Sequence, residues 1–406
     1  MPSMLPEGDP APDDGSLPIS ATEGLGTRPF GLYVHVPFCR TRCGYCDFNT
    51  YTSHELGPGA DPGSYVDTAL TELRRARRAL GEVDLPVQTI FVGGGTPTLL
   101  PPGDLTRLVS ATSDEFGLAP GAEVTTEANP ESVDAGTLDA LRGGGFTRIS
   151  LGMQSAVPHV LRTLDRQHTP GRPELCVAWA RTAGFEHISL DLIYGTPGES
   201  EVDWRTSLDA ALDAHPDHVS AYALVVEAGT RLAGQVARGE LAAPDDDVLA
   251  DRYLVADDVL TSAGLGWYEV SNWALDDDAR CRHNLGYWRG ADWWGIGPGA
   301  HSHIGGTRWW NVKHPAAYAQ RLAADRSPAH AREVLDADAR HSERVLLEVR
   351  LVDGLPLHAL PAVAVTAAGR LVADGLLARD PFDAGQAVLT LRGRLLTDTV
   401  VRALLP

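Results

Sequence analysis

The chain has 406 residues, 43% hydrophobic residue types and a formal net charge of −20, a balance that opposes binding to nucleic acid or anionic membrane surfaces. Five cysteines, three of them within the stretch Cys39 to Cys46, exclude a disulfide framework and point to a metal or redox centre in a reducing compartment. No stretch approaches the roughly 18 apolar residues of a membrane span, and no basic and then apolar leader opens the chain, so a cytoplasmic protein without an integral membrane segment is expected.

Residues 1–28 are rich in Pro, Gly, Ser, Asp and Glu, a composition that cannot offset its ordering entropy, so a disordered arm is expected. Order begins at Phe30, with a strand over 31–37. The spacing then predicts a helix over 65–80 with Ser64 as N-cap, a buried strand over 88–93 and a helix over 104–116. A strand over 123–127 and a short helix over 135–142 follow, the latter stopped by Gly143 to Gly145. Next come a strand over 148–152, helical stretches to Gly184, a strand over 187–194, a helix over 201–214 and a strand over 218–226. Short apolar strands alternating with helices indicate a parallel sheet covered by helices, here an α/β partial (β/α)6 barrel over 29–230. A Trp-, Tyr- and His-rich connecting segment is expected over 231–329, and a small winged-helix-like α+β domain over 330–406. The acidic balance makes that domain a packing module rather than a DNA reader.

Ligands of such sheets gather at the C-terminal ends of the strands. The unusual residues fall there: Cys39, Cys43 and Cys46 after the first strand, a Gly-rich loop after the second, Glu127 ending the third and Gln154 after the fourth. Thiolates are soft donors for zinc or iron–sulfur centres, and a closed zinc site wants four ligands. Three on one short loop leave one metal of a cubane cluster open; Arg40 and Arg42 are placed to offset its charge. A zinc site completed by His35 or His54, or plain buried cysteines, are the alternatives.

The stretch from Tyr33 to Thr50 (YVHVPFCRTRCGYCDFNT) resembles the cluster loop of the radical S-adenosylmethionine (SAM) superfamily, in its coproporphyrinogen-oxidase-like branch. The resemblance covers nearly the whole chain after residue 30. It implies a 4Fe-4S cluster on Cys39, Cys43 and Cys46, with SAM chelating the fourth iron and open to reductive cleavage to a 5′-deoxyadenosyl radical. The loop GGGTPT is by itself a turn as readily as a ligand cradle; the resemblance gives Gly94, Gly95 and Thr96 contacts to the SAM amino group. It likewise places Tyr33, Tyr45, Glu127, Gln154, Arg166 and Asp191 around SAM. Read alone, Glu127 is a solvated or paired acid and Asp191 a buried structural one.

Two functions fit this core. One is oxygen-independent coproporphyrinogen III oxidation in porphyrin biosynthesis; the other is heme chaperoning, in which heme is bound and passed to acceptor hemoproteins, including membrane-bound respiratory proteins. The oxidases typically carry a fourth cysteine two places after the third, where this chain has Phe48, and a structured N-terminal region, where it has the low-complexity arm. The stretches YEVSNW (Tyr268 to Trp273) and HNLGYW (His283 to Trp288) resemble the chaperones. An exposed imidazole can ligate heme iron and aromatics can stack on a porphyrin, which makes His283 the heme candidate, with Cys281, His301 and His303 behind it. The plain alternative is that His283 and Asn284 cap a turn and the neighbouring aromatics are core.

Overall fold

A computed structural model gives the architecture and describes residues 5–56 and 62–405. Among them, thirteen strands form one sheet. In chain order these are β1 (Asp9–Pro10), β2 (Phe30–Val36), β3 (Val87–Gly94), β4 (Leu118–Ala128), β5 (Arg148–Gln154), β6 (His187–Tyr194), β7 (His218–Ala223), β8 (Gly266–Glu269), β9 (Asn272–Ala274), β10 (Asp292–Ile296), β11 (His301–Ile304), β12 (Thr307–Asn311) and β13 (Ala329–Val334). Strands β2 to β7 run parallel in sequence order. Their outward faces (Leu32, Ile90, Ile149, Leu190 and Val219 are all buried) pack under helices, which is why they read as near-continuous apolar runs. The helices are α1 (Ile19–Thr22), α2 (Pro62–Leu80), α3 (Pro102–Phe116), α4 (Ala135–Gly143), α5 (Pro158–Thr163), α6 (Arg172–Ala183) and α7 (Glu201–Asp213). Ser200 starts α7 with a capping box to Asp203, and Gly184 ends α6 in the left-handed conformation. Ser64, expected as a cap, lies inside the first turn of α2.

The expected connecting segment is instead part of the sheet. After α8 (Arg231–Ala237) and α9 (Asp246–Ser262), β9 pairs antiparallel with β7. Beyond α10 (Arg282–Trp288), β10 pairs parallel with β2, so the parallel region has a seventh strand drawn from far downstream. An antiparallel meander β11 to β13 extends that side. Of the Trp-rich stretch, Trp294 on β10 and Trp309 and Trp310 on β12 are core, while Trp288 and Trp293 are half-buried.

The N-terminal arm is also corrected: residues 5–28 are ordered against the sheet, and residues 1–4 lie outside the described residues. Asp9 and Pro10 pair with Arg332 and Ala331 on β13, Asp13 pairs with Arg326 at 2.7 Å, and Ala21 is fully buried. The arm adds backbone to a strand edge, so its poverty in apolar side chains does not keep it disordered.

After α11 (Pro315–Ala323) and β13, a second core forms from α12 (Ala337–Glu348), β14 (Leu355–Pro356), α13 (Ala362–Ala373), α14 (Arg379–Asp383), β15 (Gln386–Ala387), α15 (Leu391–Leu395) and α16 (Thr397–Leu404). Val345, Leu355, Ala368, Leu377, Val400 and Leu404 are its buried centre, with β14 and β15 as a short antiparallel ribbon. Arg394 bonds Asp257 of α9 through both terminal nitrogens, at 2.7 and 2.9 Å, and lies 4.4 Å from the Trp267 ring, fastening this unit to the barrel.

Candidate functional site

The loop after β2 carries the three thiols and is held from several sides. The Cys39 N–H donates to Tyr51 O, the Cys46 N–H to Cys43 O, and the Gly44 N–H to Leu164 O. Asn49 donates to the carbonyls of Pro298 and Lys313 at 2.9 Å each, and its own carbonyl meets His35 Nε2 at 2.9 Å. The other ring nitrogen of His35 meets the Tyr33 hydroxyl, so His35 has no free nitrogen for a metal. His54 is exposed, and among the described residues no three His, Cys, Asp or Glu side chains converge on a single ion. The donor set is thus three thiols facing one cavity of about 1140 Å³. That suits a cluster with one iron open better than a closed zinc site.

Burial raises the thiols of Cys39 and Cys46, the latter to about 11. A soft metal would have to displace their protons on binding. The cation that faces them is Arg166, whose Nη1 is 3.6 Å from Cys43 Sγ. Arg40 and Arg42, expected to offset cluster charge, line the same cavity; Arg42 also pairs with Glu55 at 3.0 Å and donates to Thr50 O, and Arg40 is exposed.

The Gly-rich loop packs directly on this segment. Gly95 N–H donates to Val36 O and Thr96 N–H to Phe38 O, while Gly94 N–H donates to Glu127 at 2.9 Å. All three amides are engaged, so what the loop can offer a ligand is carbonyl oxygen. Gly94 has φ +111°, and a Cβ on Gly95 would lie 2.5 Å from Phe38 O and 3.1 Å from Cys39 Sγ, which explains the glycines. Burial, with the nearby Asp191 charge adding to it, lifts Glu127 to about 7. Asp191 accepts from the Ser150 hydroxyl at 2.8 and 2.9 Å, and burial raises it too. Gln154 ends β5 with φ 67°, a conformation non-glycine residues rarely adopt. Arg166 Nη2 donates to Gly152 O at 2.9 Å. Tyr33, Tyr45, Gly94, Gly95, Thr96, Glu127, Gln154, Arg166 and Asp191 all line the thiol cavity, so the residues named from scattered motifs share one site.

Residues 33–211 match the profile of the Radical SAM superfamily. A Mycobacterium tuberculosis (strain ATCC 25618 / H37Rv) protein named heme chaperone HemW is 56% identical over 379 residues, covering 93% of this chain and 95% of its own. The chain belongs to the heme chaperone HemW family. A HemW protein of Synechocystis is 35% identical over 86% of this chain and 85% of its own. The solved structure of Escherichia coli coproporphyrinogen III oxidase (HemN), described as a radical SAM enzyme, has a TM-score of 0.80 at 23% identity. It covers 97% of this chain and 94% of its own, a likeness of fold.

For a HemW-family chain the expected heme ligand needs correction. His283 is 3% exposed, its Nδ1 meets Thr89 Oγ1 and its Nε2 the Tyr287 hydroxyl, each at 2.8 Å, and its ring stacks on Phe91. Burial lowers its imidazole to about 3. It lines the same cavity, but as a neutral side chain with both ring nitrogens bonded, not as the exposed imidazole expected. Cys281 is buried with its thiol raised far above the ordinary range, and His303 is buried with Nδ1 on Ala291 O. His301 is exposed, stacked on Trp310 away from the cavity. Sequence reasoning missed Arg148 and Ser150, which also line the cavity; the alternation of RISLGMQ, with one face inward at every second residue, is the signal that reveals them.

Proposed function

We propose that this chain binds heme and passes it to acceptor hemoproteins, with a 4Fe-4S cluster and SAM held at the barrel rim. The observation that carries the reading is the 56% identity to a protein named heme chaperone, spanning 95% of that protein. The site chemistry agrees. Cys39, Cys43 and Cys46 would hold three irons, with Arg166 balancing the charge at Cys43. The carbonyls of Gly94 and Gly95, with Glu127, form an acceptor set for an ammonium group, and Asp191 for ribose hydroxyls. Thr96 keeps the loop against Cys39, while Tyr33, Tyr45 and Gln154 wall the same pocket. When bound, the cluster supplies an electron that can cleave SAM.

Phe48 stands where an oxidase would have its fourth cysteine. It is 58% exposed on the cavity lining, as is Val225 at 60%, so the mouth offers apolar surface to a porphyrin face. Among the described residues no helix is long and apolar enough to cross a membrane. A membrane-bound respiratory acceptor would be a transient partner. The test is an anaerobic comparison of cluster-loaded protein with SAM and reductant, given either heme or coproporphyrinogen III. Heme uptake and delivery to an apo-hemoprotein without decarboxylation supports the chaperone; turnover to protoporphyrinogen makes the chain an oxidase and ends the proposal.

A further inference from the structure

Arg148 opens β5 at the inner end of the barrel, six residues before Gln154. That is about 20 Å of strand, at roughly 3.3 Å per residue, below the thiol rim. Arg148 is 1% exposed. Its Nη1 donates to Ala279 O at 2.7 Å, but its Nη2 has no hydrogen-bond partner, and no carboxylate pairs with it among the described residues. The neighbouring acids are taken: Glu123 by the amides of Arg282 and His283, at 3.0 Å each, and by the Cys281 thiol, and Asp191 by Ser150. Beside Arg148, its register partner Thr125 on β4 is fully buried, and its hydroxyl is also without a partner. His218, on the same floor, is satisfied by Ser189 and Tyr268. Both residues line the cavity.

A buried guanidinium nitrogen left without a hydrogen-bond partner is costly, and buried polar groups are as a rule bonded. We infer that the floor of the barrel is a carboxylate-binding subsite, separate from the rim, in which Arg148 Nη2 and the Thr125 hydroxyl hold the carboxylate of a small organic acid or of a heme propionate. The fork of arginine suits that group. The subsite rests on this geometry; only the propionate source rests on the proposed function.

The test uses the full chain with its cluster loaded, comparing wild type, Arg148→Gln and Thr125→Val. Calorimetry measures binding of propionate and succinate, and absorbance titration measures heme against heme dimethyl ester. Loss of a charge-assisted bond should weaken binding roughly tenfold or more. A small acid that binds wild type and is lost in Arg148→Gln supports the subsite with a free acid as its source. A preference for heme over its diester that vanishes in Arg148→Gln supports it with propionate as the source. Should Arg148→Gln fail to fold by circular dichroism, Thr125→Val decides, with a several-fold weakening expected in the same arm. The subsite is overturned if every probe binds the folded variants as it binds wild type, or if none binds either. If wild type takes up no heme, the proposed function fails while the small-acid arm still decides the subsite.

Discussion

Replacing Arg394 with methionine should loosen the C-terminal unit from the barrel. The guanidinium makes two bonds to Asp257, at 2.7 and 2.9 Å, one to the Tyr253 hydroxyl at 3.2 Å, and a contact with the Trp267 ring. The two charged side chains are only 12% and 13% exposed, so water cannot replace what is lost. Removing one partner of a buried pair costs about 3–5 kcal/mol. The cation over the indole adds about 1 kcal/mol, while methionine keeps part of the packing. We expect a loss of about 3–4 kcal/mol. Asp257→Asn should cost less, about 2 kcal/mol, because its amide oxygen can still accept from Trp273 Nε1. The double variant should show a coupling of about 2 kcal/mol. Urea titration followed through tryptophan fluorescence reads the junction, since Trp267 and Trp273 both lie there. A loss within about 1 kcal/mol, as for an exposed ion pair, with no coupling, would refute the clamp.

Gly95→Ala should strip iron and sulfide from reconstituted protein while leaving far-UV dichroism intact, because the new Cβ meets Phe38 O at 2.5 Å and the backbone there has nowhere to move; full cluster content would contradict this. Glu72 is buried, accepts from Gly297 N, Tyr318 OH and Asn311 Nδ2, and is lifted by burial from near 4.5 to about 7. An acid raised in the folded state holds its proton longer there, so its contribution is present below pH 4.5 and lost as pH rises to 7. Relative to Glu72→Gln, wild type should lose about 3 kcal/mol across that window, and parallel pH profiles would show the carboxyl is not raised. His283→Ala should destabilise by about 2–4 kcal/mol, by cavity and by orphaning Thr89 and Tyr287. Heme uptake by the folded fraction should stay unchanged, and selective loss of heme at full stability would restore His283 as a ligand.

The strands of the barrel were legible because helix-covered parallel strands are apolar on one face and carry the site on the other, and the thiol spacing fixed the rim. The thiol loop follows β2, the Gly-rich loop ends β3, and Glu127 and Gln154 stand at the ends of β4 and β5, while Tyr33 and Asp191 sit in mid-strand. Strand β10 was hidden: a five-residue, Trp-rich run pairs with β2 at a distance in sequence that no local pattern records. The arm was misread because Asp9 and Pro10 are held through backbone, to which composition is blind. His283 was misread because HNLGYW forms helix α10, which sets His283 and Tyr287 one turn apart on a single inward face. No residue type in that stretch says whether the face looks out or in.

Asn49 has a consequence for how the chain matures. The thiol loop hangs on the carbonyls of Pro298 and Lys313, contacts 249 and 264 residues away. A ribosome that has delivered the cysteines and their nearer supports has therefore not yet delivered these two anchors, and pairings of such long range form late. The loop reaches its final hold only after residue 313 is made, and a truncated product lacking the downstream meander would carry all three cysteines on a loop that has lost both Asn49 anchors.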